Sequence, residues 1–109
     1  MKKTLKTLTT LLIVAVLQTI VVSSVAAADI EAGKIKAITC TGCHGISSYF
    51  NVYPSYRVPK IAGQNEKYLV LSLEAYKVGD RKHSTMQAQA ESLSKEDIAD
   101  IAAWFASLK

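Results

Sequence analysis

The chain has 109 residues, 50% of them hydrophobic, and 13 basic against 9 acidic side chains give it a net charge of +4. That length is enough for one domain and no more. The basic excess does not point to nucleic acid, because Lys2, Lys3 and Lys6 sit at the very start. An apolar run over residues 11–22 follows, broken only by Gln18 and Thr19, and then the small residues Ala26, Ala27 and Ala28. Basic, apolar and small segments in that order form a secretory signal. The competing reading is an uncleaved membrane anchor, but the apolar run is shorter than the roughly 20 residues that span a bilayer. Cleavage is expected after Ala28, separating a signal peptide at residues 1–28 from an 81-residue domain at residues 29–109. That domain carries ten basic and nine acidic side chains, so its charge is nearly balanced. Domains of this size often need a disulfide, metal or cofactor to complete their core.

Taken in chain order, the first predicted helix covers residues 29–39, with Asp29 at its positive dipole end. It runs into Cys40-Thr41-Gly42-Cys43-His44-Gly45, where two glycines loosen the backbone. Residues 46–62 are rich in Ser, Pro, Asn and Tyr, and Pro54 and Pro59 exclude a regular helix there. Tyr49, Phe50, Tyr53 and Tyr56 make this segment an ordered loop rather than a disordered linker. A second helix is predicted to begin at Gln64 or Asn65 and to end before Gly79, with Leu69, Leu73 and Tyr76 along one side. Residues 80–93 read as a polar loop carrying Arg81, His83 and Met86, in which residues 87–91 can form a helical turn. Ser94-Lys95-Glu96-Asp97 resembles a capping box, with Asp97 where Glu or Gln is more usual. Ile98, Ile101, Ala102, Phe105 and Leu108 then follow on one helical face. No stretch alternates as a strand should, so the predicted fold is all-α.

The chemistry concentrates in Cys40, Cys43 and His44. Cys-x-x-Cys-His is the signature of covalent haem attachment. Two thiols three positions apart can each add to one vinyl group of the same porphyrin, which leaves the adjacent His44 under the iron. A large flat porphyrin would also supply the core that 81 residues cannot build alone. A structural disulfide is the competing reading in a secreted protein. The Cys-x-x-Cys of thioredoxin-like proteins needs a βαβ frame, and no strands are predicted here. Tetrahedral zinc needs four ligands, and residues 29–109 offer only Cys40, Cys43, His44 and His83.

An iron that passes electrons without binding oxygen needs a sixth ligand. Met86 is the only methionine beyond the leader, and His83 is the only histidine besides His44. A lone methionine is commonly core filler, but Lys82, His83, Ser84, Thr85, Gln87 and Gln89 make polar surroundings for Met86. Met86 is the expected ligand and His83 the alternative. The thioether raises the reduction potential, and a second imidazole would lower it.

These residues resemble the small bacterial class I c-type cytochromes and the single domains of their di-haem relatives. The resemblance covers essentially all of residues 29–109. It is carried by Ala32-Gly33-Lys34 ahead of the cysteine motif, Pro59-Lys60-Ile61-Ala62-Gly63-Gln64 with Tyr68-Leu69, and Lys77-Val78-Gly79-Asp80-Arg81 ahead of Met86. Leu93-Ser94, Asp97-Ile98 and Ala102-Ala103-Trp104-Phe105-Ala106 complete it. It implies a class I cytochrome c fold, three to four helices wrapped around one covalently bound haem c, with His44 and Met86 as the iron ligands. The Pro59 carbonyl would accept a hydrogen bond from His44, which would fix the imidazole. Gly33 would let the first and last helices cross closely beside Trp104 or Phe105. Arg81 would meet a haem propionate or stay solvated. The loop from Tyr49 to Tyr56 is more aromatic than the broad family pattern, though Tyr53-Pro54-Ser55-Tyr56 matches a run known in one bacterial branch, and its rings lie either on the haem edge or in a docking patch.

The implied function is a periplasmic single-electron carrier, monomeric and not an enzyme, cycling between Fe(II) and Fe(III). It would dock transiently with redox protein donors and acceptors, without nucleic acid and without a membrane span after cleavage. The main rival is a haem c subunit of a periplasmic dehydrogenase, such as a flavin-dependent sulfide oxidiser. A gas-binding haem protein is the third reading.

Overall fold

The structure is a computed structural model that describes residues 27–46 and 48–108. The expected leader lies outside the described residues except for Ala27 and Ala28. Five helices and one hairpin follow in order: α1 (Ile30–Lys36), α2 (Ile38–His44), β1 (Phe50–Val52), β2 (Ser55–Arg57), α3 (Glu66–Val78), α4 (Ser84–Glu91) and α5 (Lys95–Ser107). The domain is mostly helical, as the sequence predicts.

Local chemistry sets most of the helix ends. Asp29 caps α1 by accepting from the Ala32 amide at 3.0 Å, and Asn65 caps α3 by accepting from the Tyr68 amide at 3.0 Å. Gly79 closes α3 in the left-handed region at φ +82°, which a glycine adopts without steric cost. At the start of α5 the capping box is complete. Ser94 Oγ accepts from the Asp97 amide at 3.0 Å, and Asp97 Oδ2 accepts from the Ser94 amide at 2.9 Å.

The structure departs from the sequence reading in three places. The single first helix is two, bent at Ala37 (φ −82°, ψ 2°), and α2 continues through the cysteine motif to His44. The aromatic loop contains an antiparallel hairpin, with Asn51 opposite Tyr56 and a turn at Tyr53-Pro54. Strands of three residues are too short to display the alternation that identifies a strand in sequence. Met86 sits in helix α4, not in a loop. Only Ala90 of α4 is buried, so no apolar period announced this helix.

Packing brings the two ends of the domain together. α1 crosses α5 at Gly33, where an added Cβ would lie 2.0 Å from the Asp100 carbonyl oxygen and 3.0 Å from Trp104 Cβ. Of the two candidate neighbours of Gly33, Trp104 is the one in contact, and its ring stands edge-on to Phe105 at 4.7 Å. Ala37, Leu69, Ile101, Ala102 and Phe105 form the buried cluster, with Cys40, Ile61, Leu73 and Leu93 packed against it. Four of the nine buried hydrophobic residues described are alanine, so the polypeptide brings little apolar bulk of its own.

Candidate haem-binding site

A cavity of about 480 Å³ opens between α2, the hairpin, α3, α4 and α5. This lies within the range of roughly 300–1,000 Å³ usual for small-molecule and cofactor sites. Leu69, Leu73, Ile101, Ala102 and Phe105 give it apolar walls. The sequence-predicted site residues Cys40, Cys43, His44, Pro59, Arg81 and Met86 all line it.

Helix α2 presents the motif. Residues three apart on a helix share a face, so Cys40 and Cys43 both reach the cavity. Both are free thiols, Cys40 half-buried and Cys43 exposed, and burial pushes the Cys40 thiol above its ordinary pKa. Among the described residues no group of three or more His, Cys, Asp or Glu side chains is placed to hold a metal ion.

His44 Nδ1 lies 2.7 Å from the Pro59 carbonyl oxygen. A carbonyl only accepts, so Nδ1 carries a proton, and in the neutral ring Nε2 then holds the lone pair that a metal can take. The segment after Pro59 is tied down where the Gly63 amide donates to the Phe105 carbonyl at 2.8 Å, which fixes the acceptor relative to α5. Met86, half-buried in the first turn of α4, lines the same cavity as His44.

Arg81 is engaged by α3. Its Nη1 donates to Ser72 Oγ at 3.1 Å and to the Tyr68 hydroxyl at 3.5 Å, and its guanidinium lies 4.7 Å from the Tyr76 ring centroid. The bond from Arg81 lowers the Tyr68 pKa and raises that of the guanidinium. His83, the alternative ligand, caps α4, its Nδ1 accepting from the Met86 amide at 3.4 Å. Sequence reasoning missed Thr85 and Ser72 as cavity residues, and of the two places it left open for Tyr56 the ring takes the one at the cavity. The only signal for Tyr56 was its place in the Tyr-Pro-x-Tyr run, and Thr85 read simply as part of a polar loop.

The residues fit a porphyrin. Two thiols on one helical face, a histidine with a free Nε2 and apolar walls surround a cavity of cofactor size, and helices enclose it. That combination defines a haem-binding electron-transfer domain. The chain belongs to the cytochrome c family, whose sequence model matches residues 30–109. Its one Cys-x-x-Cys-His motif, at residues 40–44, implies one covalent haem c. Proteins of this family carry electrons and are not enzymes.

Among its relatives, cytochrome c4 of Pseudomonas aeruginosa is 43% identical over 84 residues, which cover 77% of this chain and 40% of that protein. Cytochrome c-554(548) of Halomonas halodenitrificans is also 43% identical over 84 residues, covering 74% of this chain and 98% of that protein. The cytochrome subunit of sulfide dehydrogenase from Chlorobaculum tepidum is 32% identical over 76 residues, 70% of this chain and 66% of that protein. The chain thus spans less than half the length of its c4 relatives and nearly the whole of c-554(548).

Proposed function

We propose that this protein is a diffusible single-electron carrier of the bacterial periplasm with His44 and Met86 as axial ligands. The observation that carries this reading is the cavity shared by His44 and Met86, with His44 Nδ1 committed to the Pro59 carbonyl. When bound, haem c supplies the one-electron Fe(II)/Fe(III) couple. Cys40 and Cys43 would anchor it through thioether bonds. His44 Nε2 would provide one iron donor, and the Pro59 carbonyl holds that ring in orientation and raises its basicity. Met86 would provide the other donor, and a thioether favours the reduced state.

The apolar walls of Leu69, Leu73, Ile101 and Phe105 would pack on the porphyrin and keep water from the iron. Arg81 keeps its charge and lines the cavity, where it would meet a propionate in a charge-assisted contact. None of these side chains needs to act as acid, base or nucleophile. The basic, apolar and small order of residues 1–28 supports secretion, and similarity over nearly all of c-554(548) supports a free-standing carrier.

Reduced protein mixed with carbon monoxide at neutral pH tests this reading. Negligible rapid binding is expected because both axial positions are filled, whereas fast stoichiometric binding would show a gas-binding protein instead. The likeness to the cytochrome subunit of sulfide dehydrogenase favours a second reading, a permanent haem subunit of a flavin-dependent periplasmic dehydrogenase. A stoichiometric flavoprotein that copurifies through high salt would establish it.

A further inference from the structure

The hairpin has no part in the reading above, yet one of its side chains reaches the helix that carries Met86. Tyr56, in the middle of β2, donates its hydroxyl proton to Thr85 Oγ1 at 3.1 Å. Its ring stands edge-on to His83, with centroids 4.5 Å apart and planes at 82°. Tyr76 of α3 flanks the same imidazole at 6.4 Å and 75°. His83 in turn caps α4 through the Met86 amide. Tyr56, His83, Thr85 and Met86 are all half-buried and all line the cavity.

Helix α4 needs such a hook. It has eight residues and buries only Ala90. A helix that short is marginal unless tertiary contacts hold it. We infer that Tyr56 is a positioning residue for Met86: through Thr85 and His83 it pins the first turn of α4 and so keeps the thioether in the cavity. This rests on Met86 being an axial ligand.

The physical consequence is a local equilibrium. An outside ligand such as imidazole binds the iron only in the fraction of molecules whose methionine is displaced, so its apparent affinity scales with that fraction. Removing a contact that exists only in the closed arrangement enlarges the fraction by the same factor. Breaking the Tyr56–Thr85 bond should therefore raise apparent imidazole affinity about fivefold, equivalent to about 1 kcal/mol at 1.4 kcal/mol per decade.

The test is a spectroscopic imidazole titration of the ferric holoprotein. Tyr56→Phe keeps the ring against His83 and loses only the hydroxyl, and Thr85→Val removes the acceptor. Each should tighten imidazole binding about fivefold, and the double variant should do no more than either. Met86→Ala should tighten it much further, and in that background Tyr56→Phe should change nothing. If Met86→Ala tightens binding but Tyr56→Phe and Thr85→Val do not, even with a lower melting temperature, Tyr56 is structural and the inference fails while the ligand assignment stands. If Met86→Ala leaves imidazole affinity unchanged, the ligand assignment fails and takes this inference with it.

Discussion

Asp100 Oδ1 accepts a hydrogen bond from the backbone nitrogen of Asp29 at 2.7 Å, across 71 residues of sequence. The other oxygen of the same carboxylate accepts from Lys36 Nζ at 2.6 Å, and the Asp100 side chain is only 3% exposed. Lys36 also pairs with Asp97 at 2.9 Å and lies 3.9 Å from Glu96. One lysine thus ties α1 to two turns of α5, directly beside the Gly33 crossing.

This cluster makes acid stability specific. The Lys36 ammonium, with the Asp29 and Ser94 donors, holds Asp97 and Asp100 below the usual carboxylate range. Their contribution is fully present above the unfolded value near 3.9 and is lost as pH falls toward the depressed native values. Lys36 is shifted up by the same carboxylates, so its share persists below its ordinary value and fades only in strong alkali. Asp100→Asn should lower the melting temperature at neutral pH and flatten its decline below about pH 4. Thermal melts of both proteins between pH 2 and 7 check this, and parallel curves would contradict it.

Cleavage after Ala28 would convert the Asp29 amide into a free ammonium beside Asp100. Two carboxylates share one lysine there, so a second cation is favourable where the amide offers only a neutral donor. The processed chain, confirmed by its intact mass, should therefore be more stable at neutral pH than a chain that retains Ala28. The difference should shrink as pH rises past the ordinary α-amino value of about 8. Equal melting temperatures at every pH would place the ammonium elsewhere.

Gly33→Ala should cost about 1–3 kcal/mol, the usual range for overpacking. Its methyl would meet the backbone oxygen of Asp100, which cannot move aside as a flexible side chain can. The expected result is a lower urea midpoint with little change in slope. An unchanged midpoint would mean that the two helices part without strain.

The features legible in sequence were those set by neighbouring residues. Asn65, Gly79 and the Ser94–Asp97 box announce their helix ends because a cap acts within three or four positions. The cysteine motif is local in the same sense. Helix α4 was hidden because Ser84, Thr85, Gln87 and Gln89 give no apolar stripe and its cap is a histidine, an uncommon capping residue. Asp100 was equally unreadable. A buried carboxylate on an otherwise apolar face makes sense only when its partners arrive from the opposite end of the chain. Tyr56 and Thr85 lie 29 residues apart, and nothing in either segment names the other.

Met86→Ala should shift the ferric spectrum toward high spin and lower the reduction potential, since the thioether is what favours Fe(II). Redox titration followed by visible absorption measures both effects. An unaltered spectrum would mean a different sixth ligand, with His83, three residues earlier, the first to substitute.

Replacing Cys40 and Cys43 together by alanine tests whether the cavity or the polypeptide holds the fold. The buried residues include Ala37, Ala90, Ala102 and Ala103, and beyond them mainly Val58, Leu69, Ile98, Ile101 and Phe105. A full-sized apolar side chain contributes about 1.5–3 kcal/mol on burial. A handful of these must offset roughly 1–2 kcal/mol of backbone entropy for every ordered residue. Filling the cavity adds apolar contact to Leu69, Leu73, Ile101 and Phe105 at once. The double variant, made in a host with cytochrome-maturation machinery, should lose covalent haem under acid-acetone extraction. It should also lose the cooperative melt that circular dichroism records for the holoprotein. Recovery of a haem-free domain with a sharp melt would show that these helices pack without the porphyrin.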